Sequence, residues 1–243
     1  MGEPRVGSSG IIAQQGNLTG MSQPRLLSIQ VAQPQTYGCD DAANDHDKPW
    51  TTAFFKQPVT GPQRVELLGI VGDGQADRRF HGGVDKAVLA YSADHFLLWK
   101  KEHPEVDWSG GAFGENLTIA GLTESTVCIG DIWQLGSVRF EVSQPRQPCW
   151  KLSRRWGIAE LAKRVTQNGR SGWYLRVLIP GEIVAGEDLV LLGRPHPEWT
   201  INRAQQLMYF EKDDVAAAAE IAALPALAAS WREVFEERIA KRR

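Results

Sequence analysis

The sequence predicts a mainly β fold of the α+β class: a barrel-like sheet with peripheral helices, followed by a small C-terminal three-helix segment. Three observations predict it. Short apolar or alternating stretches, punctuated by Gly, Pro and Asn-Gly, recur from residue 26 to residue 193; many short strands with turn signals favour a barrel or sandwich. Helical spacing interrupts them at two places, so the regular strand–helix alternation of a doubly wound fold is missing. Near Arg194 the composition changes: PHPEWT is a linker with two prolines, and segments of helical spacing, partly alanine-rich, follow it.

The elements follow in order. Leu26–Gln33 (LLSIQVAQ) alternates as a strand, and residues 37–50 form a polar loop. Thr52–Phe55 and Val65–Ile70 read as strands on either side of PVTGPQ, a turn signal. A loop leads to the apolar strand Ala87–Tyr91. Ser92 then caps a helix over SADHFLLWKKEHP that stops at Pro104. Leu117–Ile119 is a short strand, and Asp131–Leu135 with Ser137–Val142 makes a hairpin about Gly136. Residues 152–167 read as one helix, with Asn168-Gly169 as its stop. WYLRVLIPG and EDLVLLGRP supply the last strands. Thr200 caps the first of INRAQQLMYF, VAAAAEIAAL and SWREVFEERIAKRR, the three C-terminal helical segments. The domain plan is a flexible Gly/Ser-rich extension over 1–24, with Met21 as an alternative start, a β core over 25–193 and three helices over 199–243.

Bulk properties narrow the function. With 243 residues, 42% hydrophobic, 23% charged and a net charge of -2, the chain is an ordinary globular protein and not one that coats nucleic acid. No apolar run nears the roughly 20 residues of a membrane-spanning helix, and the N-terminus lacks the pattern of a secretory signal. Three cysteines, none in a CxxC pair, argue against a disulfide framework or a structural zinc site. The expected location is the cytoplasm.

Three constellations carry chemistry. In SQPRQPCWKL, Pro145 and Pro148 stiffen the segment that presents Cys149, and the Arg146 charge favours a thiolate. A buried cysteine packed against Trp150 is the other reading of the same residues. In RRFHGGVDKAV, Gly82-Gly83 permits close backbone approach, and Arg79, His81 and Lys86 set cations around the bend, as an oxyanion or phosphate requires. The bland alternative is a turn with exposed charges, Asp85 pairing with Lys86 or Arg79. In AFGENLTIAGL, Phe113, Gly114, Glu115 and Asn116 mark a turn in which Glu115 can orient a base or cation; a plain turn explains it equally. His95 and His103 read as structural, Cys39 and Cys128 as inert, and Trp173 and Arg176 as either pocket or strand residues.

Taken in order, HGGVDKAV, FGENLT, GDIWQLG and SQPRQPCWKL resemble the MOSC domain, named for the C-terminal domain of molybdenum-cofactor sulfurase, over about residues 25–193. The helices after 199 resemble the 3-alpha domain of its YiiM-like members. The resemblance implies a β-barrel, a cytoplasmic protein and a pterin-based molybdenum cofactor. It implies reduction of N-hydroxylated compounds, such as N-hydroxylated purine bases, and so detoxification. Cys149 falls on the family's cysteine, a molybdenum ligand or a carrier of sulfur from a sulfur-donor enzyme. His81, Gly82, Gly83 and Phe113–Asn116 fall on pocket motifs, and Arg146 on the PRxPC pattern, with Arg79 and Lys86 as further cofactor contacts. His81 or Glu115 is the proton donor. No flavin, haem or iron–sulfur motif is visible, so a separate electron-donor reductase is the expected partner. Pyridoxal phosphate is attached to the family at large, but the chain lacks an aminotransferase-like domain with a cofactor lysine, which argues against a direct role. Two alternatives stand beside the reductase: a sulfur or cofactor carrier using Cys149 without turnover, and a binding module whose C-terminal helices dock a partner.

Overall fold

A computed structural model describes residues 23–44, 47–77 and 81–242. Residues 1–22 of the expected extension, and Arg79, lie outside the described residues. The strands are β1 (Arg25–Val31), β2 (Gln35–Tyr37), β3 (Trp50–Thr52), β4 (Gln57–Val59), β5 (Gln63–Glu66), β6 (Gly69–Ile70), β7 (Val88–Ser92), β8 (Leu117–Ala120), β9 (Ile132–Leu135), β10 (Val138–Pro145), β11 (Trp173–Ile179), β12 (Gly181–Ile183) and β13 (Val190–Gly193). The helices are α1 (Phe96–Glu102), α2 (Trp150–Trp156), α3 (Leu161–Asn168), α4 (Ile201–Tyr209), α5 (Val215–Ala222) and α6 (Ala229–Ala240).

Eight strands form one sheet in the order β13-β9-β10-β11-β7-β8-β1-β4. Neighbours are antiparallel except β7 and β8, whose connection holds α1. The sheet curls until the run before β13 reaches β1, one strand in from the free edge β4: Leu26 N donates to Glu187 O at 2.9 Å and Leu189 N to Pro24 O at 2.7 Å. These bonds cover backbone edges that would otherwise be left unpaired. The barrel expected from the strand pattern is therefore observed. A three-stranded sheet β12-β5-β6 and the ribbon β2-β3 flank it.

One apolar core fills the barrel and continues without a break into the C-terminal helices. Ile29, Val88, Leu117 and Phe140 belong to the same cluster as Ile201, Leu207, Ile221, Trp231 and Phe235. A second, aromatic cluster lies outside β7. Tyr91 stacks on Phe113 with ring centres 4.1 Å apart, and Trp99 Nε1 donates to the Tyr91 hydroxyl at 2.6 Å. This explains why all five residues of β7 are buried: core covers one face and aromatics the other.

Some expected boundaries move. The strand predicted over Thr52–Phe55 ends at Thr52, whose hydroxyl accepts from Phe54 N at 3.1 Å and turns the chain. The stretch PVTGPQ supplies strand β4 as well as a turn; Pro58 is tolerated because β4 is the sheet edge. Val65–Ile70 is a hairpin, β5–β6, rather than one strand. The helix expected over 152–167 is two helices. Gly157 adopts φ 66°, a left-handed value that suits glycine, and its N–H caps Ser153 O. Ser143–Pro145 prolong β10, so less of the cysteine segment is loop than its prolines suggest. His95 is structural, as expected: it meets Glu124 at 2.6 Å, and Glu124 accepts from Gly172 N at 2.7 Å. Among the described residues no helix is long and apolar enough to cross a membrane.

Candidate functional site

The last ladder-like bond beyond β10 runs from Arg146 N to Gly172 O at 3.0 Å. The chain then leaves the sheet through Gln147 and Pro148, and Cys149 occupies the position before the first turn of α2. This strand–loop–helix corner sets the thiol on the wall of a cleft of about 640 Å³, part of it open to solvent. Cys149 is partly exposed there, and it also lines the wider opening above. Trp150 stands outward at 56% exposure. Of the two readings of the cysteine, presentation at a cavity is the one observed.

The bend at 81–87 forms the facing wall, with His81, Gly82 and Lys86 in it. Gly82 has φ 83°, a left-handed value that favours glycine, and the Gln75 side chain packs against it. Gly83 adjoins it as an exposed residue. Lys151 from α2 and Arg146 from the end of β10 complete a ring of cations with Lys86. Burial first, then the fields of Lys151, Arg146 and Lys86, pushes the His81 imidazole down to about 4. The ring is neutral at physiological pH. Burial also lowers the Lys86 ammonium, against the pull of Asp85.

Arg146 is the most informative residue of the wall. It is only 4% exposed. Nη2 donates to Phe113 O at 3.3 Å, while Nη1 is buried with no hydrogen-bond partner among the described residues. A buried guanidinium N–H left open beside other cations is costly unless an anion meets it.

The FGEN turn behaves differently. Phe113 and Gly114 line the cleft, Gly114 beneath the Phe54 ring. Glu115 is fully buried and absent from the walls; its oxygens accept from Gly111 N at 2.7 Å, Phe113 N at 2.9 Å and Thr118 Oγ1 at 3.0 Å. Burial pushes its carboxyl pKa up, and these bonds hold it back. Glu115 therefore ties the loop together and does not face a reacting group, contrary to the expectation of a proton donor. Asn116 reaches the cleft, but its amide is committed: Oδ1 accepts from Leu89 N at 3.1 Å, and Nδ2 donates to Gln30 O at 3.2 Å and Asp73 Oδ2 at 2.9 Å.

Sequence reasoning missed several cleft residues. Lys56 and Asp73 form a buried ion pair in its wall, with Asp73 also accepting from Ala32 N at 2.9 Å. Both lie in stretches whose pattern reads only as strand end and loop, so no local signal marks them. Tyr174 was within reach of the alternation rule: Trp173 and Leu175 are core residues, so Tyr174 takes the other face, across from Gln144. Arg176, the next residue on that face, pairs with Asp85 and Glu141. Asp85 thus turns to Arg176.

The chemistry this arrangement supports is the capture of a polyanion beside a soft sulfur. Phosphate oxygens suit the open Arg146 N–H and the lysines, and a thiolate suits a soft metal. Among the described residues no three His, Cys, Asp or Glu side chains converge as a metal centre. A metal at Cys149 would draw its other ligands from a bound group.

The MOSC domain family matches residues 77–190, and the YiiM-like 3-alpha helix domain matches residues 199–242. The MOSC family is associated with molybdenum-cofactor binding. The crystal structure of YiiM from Geobacillus stearothermophilus superposes with a TM-score of 0.74 at 38% identity, over 89% of this chain and 99% of that one. The uncharacterized protein YflK of Bacillus subtilis is 40% identical over 217 residues, 88% of this chain and 95% of YflK. A protein of Gibberella moniliformis named "Reductase" is 40% identical over 178 residues, which are 72% of this chain and 32% of that protein. Matched along both its barrel and its C-terminal helices, the chain belongs to the MOSC domain family, in its YiiM-like branch.

Proposed function

We propose that the protein is a molybdenum-cofactor-dependent reductase of N-hydroxylated compounds. One observation carries the reading: a buried arginine with an open N–H, Arg146, stands in the same wall as the partly exposed thiol of Cys149. The cofactor combines an anionic phosphate with a thiophilic metal, and the wall offers a partner for each.

In this reading Cys149 Sγ ligates the metal, while Arg146, Lys86 and Lys151 hold the phosphate and pterin end. The bound cofactor supplies the two-electron redox change. Cleaving an N–O bond to an amine and water consumes two electrons and two protons. His81 lines both the inner cleft and the outer opening, so its imidazole can pass a proton from the opening to the cleft. Burial is the larger cause of the depressed imidazole pKa; an anionic occupant would offset the cationic field that adds to it and so move the pKa upward. Trp50 and Trp150, with ring centres 5.5 Å apart, and the Arg154 guanidinium 4.9 Å from the Trp50 ring give the opening an aromatic rim suited to planar substrates.

The electrons come from a separate reductase. This reading rests on the sequence showing no flavin, haem or iron–sulfur motif of its own. The three free cysteines suit a reducing cytoplasm. Pyridoxal phosphate forms no part of the reading.

The test is metal and pterin analysis of fresh protein from a cofactor-competent host, wild type beside Cys149→Ala. The wild type should carry about one molybdenum per chain and reduce an N-hydroxylated base when a reductase is supplied, and the variant should do neither. A fully active Cys149→Ala protein would overturn the proposal. A persulfide on Cys149 with no turnover would replace it with a carrier.

A further inference from the structure

The C-terminal helices meet the sheet through more than apolar packing. Along residues 226–230 the chain runs beside the two segments that frame the thiol. Ala228 N donates to Ser143 O at 3.0 Å, and Ser230 Oγ donates to Gln144 Oε1 at 3.2 Å. Ala229 N donates to Asp85 Oδ2 at 3.1 Å. The other oxygen of Asp85 accepts from Arg176 Nε at 3.0 Å and Nη2 at 2.7 Å, and the same Nη2 reaches Ala226 O at 3.4 Å. Ser143 Oγ donates to Asp85 O at 2.5 Å, which joins the two framing segments to each other.

These bonds converge on the cleft. Lys86, the neighbour of Asp85, lines it, and Gln144 and Gln147 line its opening beside Cys149. A helical bundle that only covered the barrel would need apolar contact with the sheet. Here it also spends backbone N–H groups and a serine hydroxyl on the carboxylate and amides that sit directly behind the cleft residues.

We propose that the C-terminal three-helix unit is a positioning element of the cleft, hanging both the Lys86 bend and the Cys149 loop from one rigid support. Asp85 and Ser230 are its positioning residues. They touch no ligand; they set the separation between the cations and the thiol, and hence the affinity of the cleft for an anion. The proposal rests on the reading of the cleft as an anion site. It gives the helices a role within the site, in place of partner docking.

The experiment uses the full chain with Asp85→Asn, Ser230→Ala and both together. Two quantities are read: the Kd for inorganic pyrophosphate by calorimetry, and hydrogen exchange of peptides covering 81–87 and 143–149. The double variant should bind pyrophosphate about tenfold more weakly and each single variant about threefold, since a charge-assisted and a neutral hydrogen bond are removed. Both peptides should exchange faster, while β9 and the start of β10 keep wild-type rates. Asp85→Glu should restore part of the affinity. Arg242→Ala, which breaks a pair with Asp213 elsewhere on the same helices, should change neither quantity. Should Asp85→Asn fail to fold, Ser230→Ala decides by the same readouts. Faster exchange confined to α6, with both loops and the Kd unchanged, overturns the proposal, as does acceleration spread evenly over the barrel. Pyrophosphate that does not bind the wild type would overturn the anion-site reading alone; the exchange of the two loops then decides this proposal.

Discussion

Two glycine-bearing turns border the same cleft and do opposite things with their polar groups. In the turn at 111–116 the carboxylate of Glu115 and the amide of Asn116 are consumed by the protein itself. On the wall formed by 81–87 and 146–151, cations from separate segments face one space, and Arg146 keeps a buried N–H without a partner among the described residues. Sequence presents both turns as glycine plus polar residues. The structure separates them by who satisfies whom: a saturated turn is scaffold, and an unsaturated wall is a site.

Substitutions can break that contrast. The largest expected effect is on the scaffold. Glu115→Ala strands the N–H groups of Gly111 and Phe113 in a dry interior and should cost about 3 kcal/mol of stability, read from urea unfolding. An unchanged midpoint would show that the turn is not held as described. Cys149→Ala, by contrast, should alter stability by less than about 1 kcal/mol and, under the proposed function, should abolish molybdenum binding.

Next comes Arg146→Gln. Losing an open guanidinium should weaken pyrophosphate binding by about tenfold or more, and relief of an uncompensated buried charge should leave the apo protein as stable or more so. A destabilised variant with unaltered binding would make Arg146 a strut like Glu115.

The titration of His81 sharpens the comparison further. Its folded pKa lies at about 4 against an ordinary 6.5. The unfolded chain therefore binds the proton more readily between those values, and this contribution to stability is present above 6.5 and is lost as pH falls toward 4. His81→Gln should flatten the stability profile of the apo protein across that window. Bound pyrophosphate should raise the imidazole pKa, as followed by NMR; an unmoved value would place the anion elsewhere.

The smallest effect concerns the rim. Trp150 is 56% exposed, so Trp150→Ala should barely change stability. It should raise KM about fivefold for planar aromatic N-hydroxy substrates and leave small aliphatic ones unaffected, given the worth of one ring contact. Equal changes for both classes would remove the rim from substrate selection.

Much of the site was legible in the sequence because its parts are local. Cys149 between Arg146 and Trp150, and the His81–Lys86 bend around two glycines, announce themselves by residue type and spacing. What misled was the FGEN turn, where Glu115 has the chemistry of an acid but a fully packed environment. Lys56 and Asp73 were missed because each enters the cleft from a distant segment, whereas for Tyr174 strand alternation is the one local signal.

The sequence by itself determined the barrel, the three C-terminal helices and the cysteine motif, since alternation, helical spacing, turn residues and capping act over a few neighbours. It could not determine the break at Gly157, where a left-handed residue closes α2, or the edge position that lets Pro58 sit in a strand. Nor could it tell which polar groups remain open. Hydrogen-bond satisfaction and the field on a buried group depend on atoms far apart in the chain: Arg146 meets Phe113, Asp85 meets Arg176 and Ala229, and Lys56 meets Asp73. Only the folded chain brings those pairs together, and that pairing decides which side chains build the wall and which are left to bind.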